Sequence, residues 1–381
     1  MVATGQGPWD AQPAPGTYAG TVTSSDAVLQ IVALPASGPW RTVDPFLFCV
    51  HHDDAYPPGN GRFGPQADLR GRQMGSDFSG KDGWSMYHGL EIPGFPRHPH
   101  RGFETVTFVR RGLIDHSDSL GAAARFGRGD VQWMTAGAGV VHSEMFPLLD
   151  QDGPNSAELF QIWLNLPAAD KMVEPSYTML WGDRLPVYDL LDDNGRRSTV
   201  TVVAGRFDGA GRSVNGLDGP PAPPPNSWAS RPQSDTAIWH VQLDAGAMLR
   251  LPAATGPETV RTAYLFEGDH VELAGQRVDN GHAAVLDAAA PVTVQAGRRP
   301  AELLVLQARP IAEPVAQYGP FVMNTQDEIE AAFGDYQRTG FGGWPWPQDG
   351  PVHGSDPVRF ARHADGRVEW PDRDPSVPGR A

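Results

Sequence analysis

The sequence predicts a mainly β protein with two β-rich domains, or one duplicated domain, and additional segments at its ends. Three observations predict this class. A chain of 381 residues is long for one compact domain. Its 44 glycines and 37 prolines imply frequent turns, while 40% hydrophobic residues are enough to build a sizeable core. Short apolar runs recur between turn-forming clusters, and helical periodicity is nearly absent from 103–166.

The predicted N-terminal domain spans 28–195. Residues 1–27 precede it and are small, polar and rich in proline and glycine, which is typical of a flexible arm. Strands are expected at Val28–Leu34, Phe103–Val109 and Leu159–Leu166, where β-branched and aromatic residues dominate.

The predicted C-terminal domain spans 196–340. It includes Gly219–Pro232, which has too many prolines for a central strand and is expected to form an exposed loop. The strand-rich segment 236–306 that follows is about as long as a small barrel needs. One helix is predicted over 324–337, and the charged, proline-rich segment 341–381 is expected to be an extended and disordered tail. The helix prediction depends on a capping box, in which Thr325 is the N-cap and Glu328 follows three residues later.

Charge and cysteine content exclude several classes of protein. The net charge of −15 and the pI near 5.1 argue against direct binding to nucleic acid or anionic lipid. Cys49 is the single cysteine, so no intramolecular disulfide forms. Because the first twenty residues lack a secretory pattern and no apolar run reaches eighteen residues, a cytoplasmic protein is expected.

Two short motifs carry the chemistry. His98 and His100 stand two residues apart, and His142 and Glu144 repeat this spacing about forty residues later. Alternate residues of a strand project from the same face, so two facing strands bring three imidazoles and a carboxylate to one point. Two histidines at this spacing, without a second motif, more often belong to a surface or a turn than to a metal site. The second motif favours a metal site with open coordination positions.

The segments around these motifs resemble the signature segments of the pirin family, a branch of the cupin superfamily. They are HPHRGFETVTFVRRG, GDVQWMTAGAGVVHSEM and EPVAQYGPFVMNT, and the similarity runs in order from about Asp44 to Gln337. The resemblance implies two stacked cupin β-barrels in one chain, a bicupin, with a short C-terminal helix. It also implies that the N-terminal barrel holds one divalent metal through the residues matching His98, His100, His142 and Glu144.

Other residues near the motifs are predicted to support or line the site rather than to bind the metal. Many cupins use a carboxylate ligand where Glu104 stands, but pirins take the acid from the His-x-Glu segment. Glu104 is therefore expected to support the ligands or face the substrate, with an ion pair to Arg101 or Arg110 as the alternative. Arg101 is also a candidate pocket residue, together with Phe103 and Trp133, although core packing is an alternative for these two aromatic residues.

The resemblance implies one metal per chain, because the second barrel has no matching histidine pair. Imidazole and carboxylate ligands suit Fe(II), which is the expected metal, but also Mn, Ni, Cu or Zn. Similar proteins act as quercetin 2,3-dioxygenases, which open the heterocycle of a flavonol with O2 and release CO. In that case a flavonol-like aromatic substrate and O2 are the partners, and Glu144 is the candidate base.

Two other function classes remain open at this stage. Some pirins resemble non-enzymatic, iron-dependent redox sensors that bind a transcription factor or a metabolic enzyme. A metal-dependent isomerase or hydrolase is the third class, since cupins host many reactions. An apparent insertion at 54–91 lies just before the metal motif and could reshape or cover the pocket.

Overall fold

The structure is a computed structural model that describes residues 27–208, 213–256 and 258–371. The predicted arm at 1–27 lies outside these ranges, except for its last residue. The described residues are mainly strands, with one α-helix. Among them, no helix is both long and apolar enough to cross a membrane.

The strands of the described residues, in chain order, are β1 (Val28–Ala33), β2 (Phe46–Asp54), β3 (Gly94–His100), β4 (Phe103–Arg111), β5 (Leu113–Asp118), β6 (Ala123–Gly127), β7 (Val131–Thr135), β8 (Val140–Met145), β9 (Ala157–Asn165), β10 (Ser176–Leu180), β11 (Val187–Leu191), β12 (Arg197–Ala204), β13 (Ala237–Leu243), β14 (Met248–Leu251), β15 (Val260–Glu267), β16 (His270–Leu273), β17 (Gln276–Asp279), β18 (His282–Asp287), β19 (Val292–Ala296), β20 (Ala301–Ala308), β21 (Ala316–Tyr318), β22 (Phe321–Met323), β23 (Phe360–Arg362) and β24 (Val368–Glu369). The helix is α1 (Gln326–Thr339). The strands expected at Val28–Leu34, Phe103–Val109 and Leu159–Leu166 correspond to β1, β4 and β9.

The chain forms two compact units. The first, here called the histidine unit, consists of His51–Gln161, Ala168–Asp183 and the described part of the chain from Pro314 onward. Its strands form a five-stranded sheet in the order β10-β7-β4-β9-β2, a six-stranded sheet in the order β24-β23-β6-β5-β8-β3 and the two-stranded β21–β22 hairpin. Buried aromatic and aliphatic side chains from both sheets form one hydrophobic core.

The second unit, here called the companion unit, consists of the described residues of the chain up to Val50, of Ile162–Pro167 and of the described residues between Arg184 and Glu313. A seven-stranded sheet in the order β1-β18-β15-β20-β13-β12-β11 and a four-stranded sheet in the order β14-β19-β16-β17 enclose its core. The core is rich in Val and Leu, as expected where alternate residues of both sheets point inward.

This division differs from the boundaries predicted at 195/196 and 340/341. Strand β1 pairs antiparallel with β18 and so belongs to the companion unit, because it completes the edge of that sheet. Helix α1 and the segment after it belong to the histidine unit. Apolar side chains of α1 pack on the β21–β22 hairpin, which explains why the helix is assigned there.

The capping box of α1 is confirmed. The Thr325 side chain accepts a hydrogen bond from the backbone N–H of Glu328, and the Glu328 carboxylate accepts from the N–H of Thr325 at 2.9 Å. These two bonds satisfy backbone N–H groups that have no partner within the first turn of a helix. Gly340 ends the helix in the left-handed conformation, which glycine adopts without strain.

The insertion at 54–91 contains no strand beyond the end of β2, but it is packed. Tyr56, Trp84, Met86 and Tyr87 belong to the core of the histidine unit. The guanidinium of Arg72 lies 3.4 Å from the ring centroid of Trp84 and forms a buried ion pair of 2.9 Å with Asp77, which fixes the segment around one cation.

The expectation of a disordered tail at 341–381 is wrong for the part that the structure describes. Strand β23 pairs with β6, and β24 pairs with β23. The Trp346 indole donates to the Asp118 carbonyl at 2.8 Å. Composition misled the prediction because the many prolines and charges hide a few anchoring residues, such as the partly buried Trp346, that contact β5 and β6.

The Gly219–Pro232 segment carries no strand, as predicted, and contains only one short 3-10 turn at Trp228–Ser230. A second such turn follows at Pro232–Ser234. Both turns border a cavity of the companion unit.

Candidate metal centre

Strand β3 presents the first two histidines. It contains Pro96 and Pro99, which cannot donate to a neighbouring strand, and it lies accordingly at the edge of its sheet. Its pairing with β8 is interrupted by an irregularity between Phe95 and His98. From His98 onward the register is regular, so His98 and His100 project from the same face.

Strand β8 brings the third histidine opposite the first. His142 pairs directly with His98, and their ring centroids are 4.4 Å apart. The ring of His100 lies 4.8 Å from that of His98 and 4.9 Å from that of His142. One ring nitrogen from each of the three residues lies within 4.8 Å of the others. Two nitrogens bound to one metal at about 2.1 Å lie at most about 4.2 Å apart, so this separation is close to that of a metal site.

Hydrogen bonds orient two of the rings as metal ligands. A carbonyl oxygen only accepts, so Nδ1 of His98 donates to the Pro96 carbonyl at 2.9 Å and leaves Nε2 of this ring to bind a metal. Nδ1 of His100 lies 3.4 Å from the Pro320 carbonyl in a longer version of this arrangement. Both nitrogens of His142 are buried and have no hydrogen-bond partner among the described residues.

Burial also keeps these imidazoles neutral. It lowers the pKa of His98 to about 4 and the pKa values of His100 and His142 well below their usual range. A neutral imidazole is the form that binds a metal. A buried imidazole with two unpartnered nitrogens would be costly without a ligand. The three residues therefore fit a divalent metal.

Glu144 is buried nearby, but it is not among the described residues whose ligand atoms cluster with the imidazoles. Its carboxylate instead contacts the Thr107 hydroxyl at 3.1 Å and the Gln161 amide N–H at 3.2 Å. Burial raises its pKa, while His116 and these two hydrogen bonds lower it. Its role as a fourth ligand remains a prediction.

The Thr107 hydroxyl has only one proton to share between two acceptors. It lies 2.5 Å from Oε1 of Gln161 and 3.1 Å from Oε1 of Glu144. The contacts Thr107–Gln161, Thr107–Glu144 and Gln161–Glu144 are all satisfied at once when Glu144 carries a proton and donates it to the Thr107 oxygen. The geometry around Glu144 is therefore suited to hold a proton at Oε1. Sequence analysis missed Thr107 and Gln161, because neither belongs to a histidine motif.

The next three candidate residues are all buried, but their contacts differ. Phe103 is buried and meets the ring of His100 edge-on, with centroids 5.0 Å apart. Glu104 is buried and accepts a hydrogen bond of 2.7 Å from Thr135, so it supports the strand pair β4–β7. Trp133 is fully buried in β7, and its indole N–H has no partner among the described residues.

Arg101 anchors the helix. Its guanidinium donates to Asp335 of α1 at 2.9 Å and to the Ala138 carbonyl at 2.7 Å, and it lies 4.5 Å from the ring centroid of Phe341. Arg110 pairs with another carboxylate, Glu158. These contacts give both arginines acceptors other than Glu104.

His116 is a further histidine at this site, and it belongs to neither of the two motifs singled out in the sequence analysis. It is fully buried in β5, directly opposite Glu144 of β8, and its ring centroid is 5.6 Å from that of His142. Nε2 of His116 lies 3.3 Å from Asp118. A sequence signal was available, because His116-Ser117-Asp118 repeats the spacing and chemistry of His142-Ser143-Glu144.

The turn between β3 and β4 is held closely against β22. Gly102 has φ +84°, and a Cβ at this position would lie 1.9 Å from the Val322 carbonyl oxygen, so only glycine fits. The buried Lys171 amine donates to the Gly102 carbonyl at 2.8 Å and to that of Val322 at 3.3 Å. These contacts fix the end of β3 that carries His100.

Comparison with known proteins follows the same segments. The pirin family model matches residues 33–164, and the model of the pirin C-terminal cupin domain matches 238–342. A pirin-like protein of Caulobacter vibrioides is 38% identical over 250 residues, which are 66% of this chain and 81% of that protein. The chain belongs to the pirin family. Human pirin is 33% identical to this pirin over 250 residues, which are 64% of this chain and 77% of human pirin.

Other relatives carry an enzyme name. A Pseudomonas aeruginosa protein with the provisional name quercetin 2,3-dioxygenase is 37% identical over 251 residues, or 65% of this pirin and 79% of that protein. A crystal structure of quercetin 2,3-dioxygenase from Acinetobacter baumannii has a TM-score of 0.63 and 27% identity, covering 83% of this chain and 98% of that one. The two-domain cupin fold predicted from the sequence is confirmed.

Proposed function

We propose that this pirin is a metal-dependent quercetin 2,3-dioxygenase whose metal is held by His98, His100 and His142, with Glu144 as a weakly bound fourth ligand. The observation that carries the proposal is the cluster of three neutral imidazoles, two buried and one partly buried, in which both nitrogens of His142 have no other partner in the described chain. Fe(II) is the proposed metal, and Mn, Ni, Cu or Zn are the alternatives to test. When bound, the metal supplies Lewis-acid and redox chemistry.

The proposed reaction opens the heterocycle of a flavonol. O2 adds across carbons 2 and 4, both oxygen atoms enter a product that is an ester bearing a carboxylic acid, and carbon 3 leaves as CO. No other reductant is consumed. The flavonol must first lose the proton of its 3-hydroxyl group. Glu144 is the proposed base, and its contacts with Thr107 and Gln161 hold the carboxyl group while it carries that proton.

Aromatic side chains next to His98 support an aromatic substrate. Phe95 lies 6.4 Å from His98 between ring centroids and stacks on Tyr87 at 5.1 Å. Phe78 and His88 of the insertion meet each other edge-on at 5.1 Å, and His88 lies 5.8 Å from Phe95. Phe78, His88 and Phe95 are only partly buried, so they can contact a planar ligand.

The test is anaerobic loading of the full chain with Fe(II), followed by quercetin and air. The proposal expects bleaching of the flavonol absorption, uptake of one O2 and release of one CO per flavonol. Loading with Mn, Ni, Cu and Zn in parallel identifies the metals that support turnover. The Glu144→Gln variant should keep the metal and lose turnover, whereas full activity in this variant would refute the base.

Stoichiometric metal without any turnover would refute the dioxygenase proposal and leave the metal site. It would favour the redox-sensing alternative, in which the oxidation state of iron changes the binding of a partner protein. A pull-down that compares ferrous with ferric protein would then identify such a partner.

A further inference from the structure

Two further imidazoles lie beside the candidate metal centre. His52 of β2 and His88 of the insertion flank Phe95, and their ring centroids lie 5.9 and 5.8 Å from that of Phe95. Phe95 in turn lies 6.4 Å from His98 of the metal centre, between ring centroids. His52, His88 and Phe95 are all partly buried. The cluster of described ligand atoms around His98 includes neither His52 nor His88, so the metal leaves the nitrogens of these two rings without a role.

A backbone hydrogen bond places the proton of His88. Nδ1 of this ring lies 2.8 Å from the Gly75 carbonyl oxygen, which only accepts, so Nδ1 carries the proton of the neutral ring. Nε2 is then a hydrogen-bond acceptor. This atom has no partner among the described residues and is not enclosed by them, so a ligand can reach it.

A chain of two hydrogen bonds places the proton of His52. The Tyr87 hydroxyl donates to Asp54 at 2.7 Å, because the carboxylate only accepts when it is ionised, above the pKa of about 7 that burial gives it. The hydroxyl has one proton, so its oxygen accepts from Nδ1 of His52, which lies 2.8 Å away. Nε2 of His52 is therefore a second acceptor, and it is likewise accessible and without a partner in the described chain.

The surroundings of these two acceptors are aromatic. Phe78 meets the rings of His88 and Tyr87 edge-on, with centroids 5.1 and 5.4 Å apart. Apolar rings of this kind favour a flat aromatic ligand, and a few polar atoms among them fix its orientation. Because both open nitrogens are lone pairs, the matching groups on the ligand are O–H donors rather than carboxylates or ketones.

We propose that Nε2 of His52 and Nε2 of His88 accept hydrogen bonds from phenolic hydroxyl groups on the substrate ring that is remote from the metal. This inference rests on the proposed function, in which the 3-oxygen of a flavonol is held at the metal centre. It narrows the substrate to flavonols that carry hydroxyl groups on the remote ring. A flavonol without these groups leaves both acceptors covered by an apolar ring and unpaired, which costs affinity.

The experiment measures binding in the absence of turnover. The full chain is loaded with Zn(II), which has no redox chemistry, and titrated at pH 8 without O2 with galangin, kaempferol and quercetin. These flavonols carry no, one and two hydroxyl groups on the remote ring and are otherwise identical. The double variant His52→Phe/His88→Phe keeps both rings and removes both acceptors. His282→Phe in the companion unit is the matched control, because Nδ1 of His282 also lies near a backbone carbonyl, at 3.3 Å from that of Asn280.

The affinity should rise about fivefold from galangin to kaempferol, and again to quercetin, in the natural chain and in His282→Phe. In the double variant of His52 and His88 all three flavonols should bind as weakly as galangin. Galangin binding itself should stay unchanged there, which reports an intact fold. Equal affinities in the natural chain would overturn the inference. A preference for quercetin that persists in the double variant would also overturn it, because the two adjacent hydroxyl groups would then be chelating the metal.

An O2-uptake assay of the Fe(II)-loaded chain separates this inference from the dioxygenase proposal. Binding that depends on the remote hydroxyl groups and on the two histidines, without O2 uptake, would refute the dioxygenase and retain the inference. Turnover of all three flavonols with equal kcat/KM and equal affinity would retain the dioxygenase and overturn the inference. Binding of none of the flavonols would overturn the inference.

Discussion

His98 and His142 form a direct cross-strand pair between β3 and β8, with ring centroids 4.4 Å apart. His100 lies two residues further along β3, on the same face, so the register of one strand pair sets the positions of all three imidazoles. A slip of one residue would turn the histidines of one strand to the other face. The prolines of β3, the tight turn at Gly102 and the Lys171 contacts hold this register from outside the cluster.

The first prediction concerns metal content. His142→Ala removes the imidazole whose two nitrogens have no other described partner, so bound metal should fall from about one per chain to near zero. The measurement is elemental analysis of protein loaded with Fe(II) and then desalted. His282→Ala, in the companion unit, is the control and should keep its metal. Unchanged metal in His142→Ala would show that the cluster is not the binding site.

The second prediction separates proton handling from metal binding. Thr107→Val removes the hydroxyl shared by Glu144 and Gln161 without changing the size of the side chain. Metal content should stay the same, and kcat for quercetin should fall about ten- to a hundredfold, as is typical when a supporting hydrogen bond is lost. Thr262→Val, a buried threonine of β15 in the companion unit, is the control. Equal kcat values in both variants would argue against a role for this network.

The third prediction is a pH dependence of stability. The buried Asp54 carboxylate accepts hydrogen bonds from Tyr87 and Ser85, yet burial raises its pKa to about 7. Between pH 4 and 7 the folded state therefore holds a proton that the unfolded state releases, so this group makes stability fall as pH rises through that window. The total effect is on the order of 4 kcal/mol.

Asp54→Asn should remove this slope, and melting curves at pH 4 to 8 measure it. The comparison with the variant is essential because His52 acts in the opposite direction. Burial lowers the pKa of His52 to about 3, so this group makes stability rise with pH below pH 6.5. The stability of the variant relative to the natural chain should rise from pH 4 to 7 and then level off. A constant difference across this range would show that Asp54 titrates normally.

The fourth prediction tests the insertion. Arg72→Met leaves Asp77 buried without its cation and removes donors to the Trp84 and Lys81 carbonyls, so folding stability should fall by about 3–5 kcal/mol. Chymotrypsin should then cleave near Phe78 before the rest of the chain. Arg70→Met breaks only an exposed pair with Asp68, which solvent screens, so stability should stay nearly unchanged. Equal proteolysis of both variants would contradict the proposed anchoring role of Arg72.

Much of this arrangement could be predicted from local sequence. The i, i+2 spacing of His98 and His100 fixes a shared face on any strand, and Thr325 with Glu328 fixes the start of α1 within the capping box. Such features depend on neighbours within a few residues. The cupin fold and the three-histidine cluster followed from them together with the family resemblance.

What could not be predicted depends on distant pairing. Glu144 shares a face with His142, but its partners Thr107 and Gln161 come from β4 and β9, which only the folded sheets bring together. The pairing of β1 with β18 likewise joins residues about 250 positions apart. Local composition does not reveal contacts between distant residues. The tail was wrongly predicted to be disordered for the same reason.

The last prediction concerns this tail. Arg125 of β6 forms a buried ion pair with Asp115 of β5 at 2.6 Å, and its other donors reach the carbonyls of Gly354 and Asp356. The N–H of His353 donates to the same Asp115 carboxylate at 2.8 Å. The tail thus completes the hydrogen bonds of a charge pair that sits in the sheet next to β8.

Truncation after Gly343 would leave that pair with unmet donors and expose the edge of β6, so stability should fall by at least about 3 kcal/mol. Because β5 lies between β6 and β8, the metal should also dissociate faster from the truncated chain. Melting temperature and the rate of metal transfer to a chelator measure the two effects. Arg367→Ala, which loses only an exposed pair with Glu369, is the control for changes within the tail. A truncated chain with unchanged melting and unchanged metal release would mean that the tail packs on the sheet without supporting it.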